Sequence, residues 1–191
     1  VWMDKFTIRN LELYNSNNAN AVTLIDVIDH TISPMGGRLL KRWLALPLKS
    51  LEKIKARHEV VQYFLDQEDT HHKIQSYIKQ VGDLERLISK VATAKVNPRE
   101  VVQLKNSLEA IVPIKALATN CKNADLKRIG EQIKSCELLR EKIKATLNED
   151  APVNILKGNS IASSASEELE SLRAIAFSGK DYLDKMLARE S

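Results

Sequence analysis

The sequence predicts a mainly α fold: a multi-helix bundle with one long helix at its C-terminal end, at most a short extended segment and a small hairpin. Three observations carry that prediction. Apolar residues recur at spacings of three and four over most of the 191 residues. Serine, aspartate or asparagine stands at the head of several of those runs, where helices take their caps. Aromatic residues are few, with two Trp, four Tyr and three Phe. The core must therefore come mostly from Leu, Ile, Val and Ala, as in packed helices rather than a β-sandwich.

From Thr7 to Leu13 the chain is β-tolerant, and Asn15 to Asn20 reads as a solvent loop, so residues 1–20 are expected to be an extended lead-in segment and loop. Ala21, Leu24, Ile25, Ile28 and Ile32 share one helical face until Pro34 ends the run. Ser33 and Pro34 then open a helix whose first turn holds Gly36 and Gly37, whose inward side is expected to be Leu39, Leu40, Trp43 and Leu44, and which Pro47 closes. Each glycine costs a helix roughly 0.8–1 kcal/mol relative to alanine. Two together point to close backbone packing, or to a backbone left bare for a ligand.

Ser50 caps a helix with Leu51, Ile54, Val61 and Leu65 on one stripe, and Asp69 begins another with Ile74, Tyr77, Ile78 and Val81. After Gly82, Asp83 caps a helix that is expected to bury Leu84, Leu87, Ile88 and Val91. Asn97-Pro98-Arg99-Glu100 combines a cap, proline at the first helical position and glutamate at the third. Pro113 is expected to kink or stop that helix. Leu126, Ile129, Ile133, Cys136, Leu139, Ile143 and Leu147 form the stripe of one long helix, which would complete a helical core domain over 21–150. Within 151–165, Val153–Leu156 and Ser160-Ile161 flank a turn that can close a short hairpin. From Ser166 a final helix is expected to bury Leu169, Leu172, Ala176, Leu183 and Met186 or Leu187. It is still amphipathic at Ser191, so the chain is expected to be part of a longer protein.

The formal charge is +4, and acidic and basic residues are interspersed, so charge alone does not argue for nucleic acid. Cys121 and Cys136 have no metal or redox spacing. No apolar run approaches the roughly 18 residues of a membrane span. Ser178-Gly179-Lys180-Asp181 is not a phosphate loop: Ala174 replaces its first glycine and Asp181 its hydroxyl. His71 and His72 are adjacent and diverge on a helix, while His30 and His58 stand alone, so no metal site is expected. Capping and helix-dipole roles account for Asp83, Glu85, Glu167 and Glu168, and capping for Ser163, Ser164 and Ser166, so no catalytic residue is assigned. Lys41 and Arg42, with Arg38, Arg86 and Lys90, are candidates for phosphate contact; a solvated face, or ion pairs to Asp29 and Glu85, accounts for them as well.

Thr31, Pro34, Met35, Gly36, Arg38, Leu40, Trp43 and Leu44 fit the run Thr-x-x-Pro-Met-Gly-x-Arg-x-Leu-x-x-Trp-Leu. In that order with Thr7–Glu12, Val81–Leu87, Asn97–Arg99 and the later Glu167-Glu168-Leu169, Leu172-Arg173 and Tyr182-Leu183, it resembles the MutS family of DNA mismatch-repair ATPases. One departure is local: the family usually has Gly followed by Tyr or Val where Ser163, Ser164 and Ala165 stand here. More distant MutS relatives act in recombination; the Pro34-Met35-Gly36 and Asp83–Arg86 motifs favour the mismatch-repair branch.

The resemblance implies a helical core and lever region without catalysis of its own. Residues 166–191 would begin a lever helix leading to a DNA clamp. The region would couple the parent's ATPase part to that clamp. Pro34, Met35, Gly36, Gly37, Arg38, Trp43, Asp83 and Arg86 would serve packing or a domain junction. For the parent the resemblance implies ATP and Mg as cofactors, mismatched duplex DNA bound through other domains, a dimer, a downstream repair factor, no membrane, and a cytoplasmic or nucleoid setting. A stand-alone helical interaction module without an ATPase fits composition and periodicity equally well.

Overall fold

The computed structural model describes residues 3–18 and 20–190, with side chains as far as Gly179. Those residues form ten α-helices and no β-strand. In chain order they are α1 (Lys5–Asn10), α2 (Leu24–Ile28), α3 (Pro34–Ala45), α4 (Leu51–Asp66), α5 (Glu68–Gln80), α6 (Leu84–Ala92), α7 (Pro98–Thr119), α8 (Ala124–Gln132), α9 (Glu137–Thr146) and α10 (Glu167–Glu190). Short 3-10 turns lie at Ile155–Lys157 and Ser163–Ala165.

α7 is the centre of the packing, with α5, α6, α8 and α9 laid against it. Val102, Leu108, Ala110 and Ala118 supply its apolar contacts, and Ser107 is 1% exposed. Its start is fixed by a complete capping box: the Asn97 side chain accepts from Glu100 N at 3.0 Å, and Glu100 accepts from Asn97 N at 3.2 Å. Ser33, Ser50 and Asp83 cap α3, α4 and α6 as their sequence positions require.

Several expectations are corrected. The 7–13 segment is helical at its start rather than extended. Asp4 accepts from Phe6 N at 2.8 Å and Thr7 N at 2.9 Å, and that cap outweighs the β tolerance of the residues it precedes. The 21–32 run is helical only over α2, because Asp29 takes up Thr31 N at 3.0 Å and Thr31 Oγ1 at 2.6 Å and bends the chain out of the helix. Gln67 precedes α5 without a side-chain cap, and Asp69 lies within its first turn. Pro113 does not stop α7, which runs on to Thr119; burial of Ala110 and Ala118 on either side of the proline outweighs the lost hydrogen bond.

The expected long helix over 126–147 is two. Ile133 is extended and Cys136 is left-handed at φ 47°, while Arg140 Nε bonds the Ser135 carbonyl at 2.9 Å inside the break. The break lets α8 cross the end of α7 at Gly130 and lets α9 settle on α7 separately. No hairpin forms over 153–161. Asn154 accepts from Leu156 N at 2.9 Å and closes a 3-10 turn, and Ile161 pairs instead with Leu147.

Much expected core is at the surface. Leu39 and Trp43 are each 42% exposed, and Leu51, Val61, Leu65, Ile88, Val91 and Leu172 are exposed too. Ala176 is exposed, and the side chains of Leu183, Met186 and Leu187 lie outside the described residues. The accessible surface of 14299 Å² compares with about 9200 Å² for a compact monomer of this mass.

The α7–α8 crossing makes the clearest stability prediction. A Cβ on Gly130 would stand 2.7 Å from Thr119 N and 2.9 Å from Ala118 Cβ, whereas one on Gly179 meets nothing within 4 Å. Gly130→Ala is expected to destabilise the fold by ~1–3 kcal/mol in urea titration. Gly179→Ala, in an open helix, is expected to leave stability unchanged or raise it by up to ~1 kcal/mol. Equal effects would contradict the close crossing.

Candidate functional site

The start of α3 is built from its own preceding loop. Ser33 Oγ accepts from Gly36 N at 3.1 Å, and Pro34 occupies the first turn, where it has no amide to satisfy. A Cβ on Gly36 would lie 3.1 Å from Ser33 Oγ and 3.4 Å from Thr31 Cβ, and one on Gly37 would lie 3.2 Å from Thr31 Oγ1. The two glycines thus let the 29–33 loop fold back onto the helix, and Gly36 also borders a cavity lined by Phe64 of α4 and by Ile74 and Ile78 of α5. Met35 is half-buried next to them.

Arg38 leaves this turn toward the α5–α6 junction. Its terminal nitrogens donate to both Asp83 oxygens at 2.9 and 2.6 Å, and Nε donates to Glu85 at 2.7 Å. A planar guanidinium between two carboxylates fixes direction as well as distance. Asp83 also accepts from Arg86 N at 3.2 Å as the α6 cap, so one carboxylate serves two elements. The hydrogen bonds from Arg38 hold the Asp83 carboxyl below the ordinary aspartate range, and donating to both carboxylates pushes the Arg38 pKa further up.

Asp83 is tied to the core through Gly82, whose amide donates to Ser107 Oγ at 3.0 Å; that hydroxyl donates to the Gln103 carbonyl at 2.8 Å. A Cβ on Gly82 would stand 3.1 Å from Ser107 Oγ. Lys90 pairs with Glu100, which ties α6 to the start of α7 and holds the Glu100 carboxyl below its usual range.

Two residues before Ser107 on α7, Lys105 is 5% exposed and reaches Glu149 at 3.4 Å and Glu109 at 4.0 Å. Arg99 Nε donates to the Ala151 carbonyl at 3.3 Å. The 148–151 turn is thereby held against α7. Two sets of polar contacts thus meet on α7: one from α3 through the α5–α6 junction to Ser107, the other from Lys105 and Arg99 to this turn.

Other candidates fall elsewhere. Trp43 lies under Arg57 of α4, 3.5 Å from guanidinium carbon to ring centroid, at a groove lined also by Leu48, Val60, Val61 and Ile129. Lys41 stands near Asp26 and Asp29 and contributes to lowering both of their pKa values. Arg42 is exposed and makes no ion pair among the described residues. The His71 and His72 rings stack at 5.5 Å. Among the described residues no three His, Cys, Asp or Glu side chains are grouped to hold a metal, and no helix is long and apolar enough to cross a membrane.

Sequence reasoning offered Asp29 and Glu85 as ion-pair partners for the basic group that includes Arg38, and named Asp83 for capping and a junction without pairing it to Arg38. It also missed Ser107 and Lys105. Their signal was a polar residue on either flank of the apolar stripe of Val101, Leu104, Leu108 and Ile111.

Residues 6–188 match the family model of MutS domain III. The chain is 63% identical over its full length to the DNA mismatch repair protein MutS of Flavobacterium johnsoniae and to that of Christiangramia forsetii. It is 50% identical to the protein of that name from Parabacteroides distasonis. In each case it spans 22% of the relative's length.

The Arg38–Asp83 pair gives a signed pH prediction. A carboxylate whose folded pKa is lowered contributes stability that is fully present above its unfolded value of about 4 and is lost as pH falls through the folded value. Asparagine remains a good cap, so Asp83→Asn removes mainly the charge. Urea titrations are expected to show the variant less stable at pH 7, with the gap to wild type closing below about pH 4. A gap that is the same at every pH would contradict an ionised pair.

Proposed function

The chain belongs to the MutS family as its domain III, and on that premise we propose that it is the helical core of a DNA mismatch-repair ATPase, relaying nucleotide state to the part that grips DNA. It performs no chemistry itself. The parent's ATP and Mg, its mismatched duplex substrate, its dimer and its downstream repair partner belong to the same proposal. The long α10 acts in it as the lever toward a DNA clamp.

The observation that supports this reading best is that α7 carries two sets of polar contacts, one from Arg38 through Asp83 and Gly82 to Ser107, the other from Lys105 to Glu149. A relay needs elements that move as units, and close-packed helices joined by directional polar contacts do so. The large exposed apolar area agrees with a region covered by other parts of a longer protein. Trp43, Val61 and Ile129, set around one groove, are exposed apolar residues that such a part would cover.

The glycine turn would be where motion enters. A valine at position 36 would collide with Ser33 and Thr31 and force the 29–33 loop off α3, at a packing cost of ~1–3 kcal/mol. In the complete parent, Gly36→Val is expected to leave mismatch binding intact and to slow ATP-triggered release from the mismatch, followed by stopped-flow fluorescence. Release at the normal rate would sink the relay through α3.

A further inference from the structure

Ile161 lies between the end of α9 and the base of α10, and its carbonyl is a shared acceptor. Asn148 Nδ2 donates to it at 3.1 Å and Arg173, in the second turn of α10, at 3.0 Å. Asn148 N bonds the Ser160 carbonyl at 3.1 Å and Ala162 N bonds the Thr146 carbonyl at 2.9 Å, so Leu147 and Ile161 are bracketed as an antiparallel bridge. Ser166 Oγ accepts from Leu169 N at 3.2 Å and starts the helix.

Beyond Arg173, residues 174–179 are all exposed. Among the described side chains, the contacts that set the direction of α10 lie in its first two turns, at the Ser163–Ala165 turn and at Arg173.

Asn148 Nδ2 has two hydrogens and three acceptors in reach, since Asn159 O and Oδ1 each lie at 2.9 Å besides Ile161 O. It can satisfy the 159 loop or share itself with Ile161, but not all three fully. Next to it, Ser160 Oγ is buried with no hydrogen-bond partner, so a different arrangement of this loop has a bond to gain. A joint with two alternative hydrogen-bond patterns is what a hinge requires.

We propose that Asn148 and Arg173, closing on the Ile161 carbonyl, are positioning residues of a hinge that sets the direction of α10. The core side of the hinge is anchored to α7 by Lys105 through Glu149. The joint's geometry stands independently of the relay; its use in signalling rests on the coupling role proposed above.

The test uses the complete parent protein, with other reactive cysteines removed and spin labels at Lys79→Cys on α5 and Phe177→Cys on α10, both exposed positions. Pulsed electron resonance gives the distance distribution between them, and ATP-triggered release from a mismatch is followed in the same variants. Asn148→Ala and Arg173→Met are each expected to shift or broaden the distribution while the thermal midpoint stays within a few degrees of wild type. Arg173→Lys, which keeps a donor, is expected to recover most of the wild-type distribution. Release is expected to slow by roughly tenfold in the first two variants. A distribution unchanged in Arg173→Met overturns the hinge. A changed distribution with normal release upholds the hinge and overturns the coupling reading.

Discussion

The burial of α7 is the constraint on which the other described elements depend. A helix with Val102, Leu108, Ala110 and Ala118 packed and Ser107 sealed must be surrounded, and α5, α6, α8 and α9 are what surround it. Its polar residues are not exceptions to that rule. Ser107 and Lys105 each carry a partner from another part of the chain, as buried polar groups must. The same residues therefore close the core and join the α3 side of the molecule to the α10 side. Pro113 is held inside α7 because the neighbours on both sides have nowhere else to go.

Local signals were legible in the sequence and long-range ones were not. The caps at Ser33, Ser50, Asp83 and Asn97 were readable because a cap is a contract between residues three apart. The break at Cys136 was not: the 126–147 stripe keeps helical spacing through it, and it is α7 that needs two pieces rather than one. Ile161 was assigned to the wrong partner for a similar reason. Its neighbours 153–156 had the composition of a strand, but Asn148 and Thr146 supplied the hydrogen bonds. The stripe on α4 and the pair Leu39 and Trp43 teach the complementary point. Periodicity identifies an apolar face and is silent on whether its cover lies within the same 191 residues.

The family motifs fared differently, since their residues do structural work that can now be stated. Pro34 and Gly36 shape a turn against Thr31 and Ser33, and Arg38 is locked between Asp83 and Glu85, so the two best motifs meet in space although 45 residues separate them. That meeting gives the proposed relay its rigid input. Arg38 is fixed by geometry more than by burial, and its guanidinium remains partly open to solvent. Its contribution is therefore one of orientation, with modest strength expected for a pair that water can screen.

The most direct measurement of this account is residue-resolved amide hydrogen exchange of the chain under native conditions. If α7 is the spine, amides from Val102 to Ala110 should exchange only through global unfolding and be the slowest in the molecule, with those of α8 and α9 faster and those of α10 beyond Arg173 near the rates of an isolated helix. Amides of α7 exchanging as fast as those of α10 would contradict a core built around that helix and the joined contacts that depend on it.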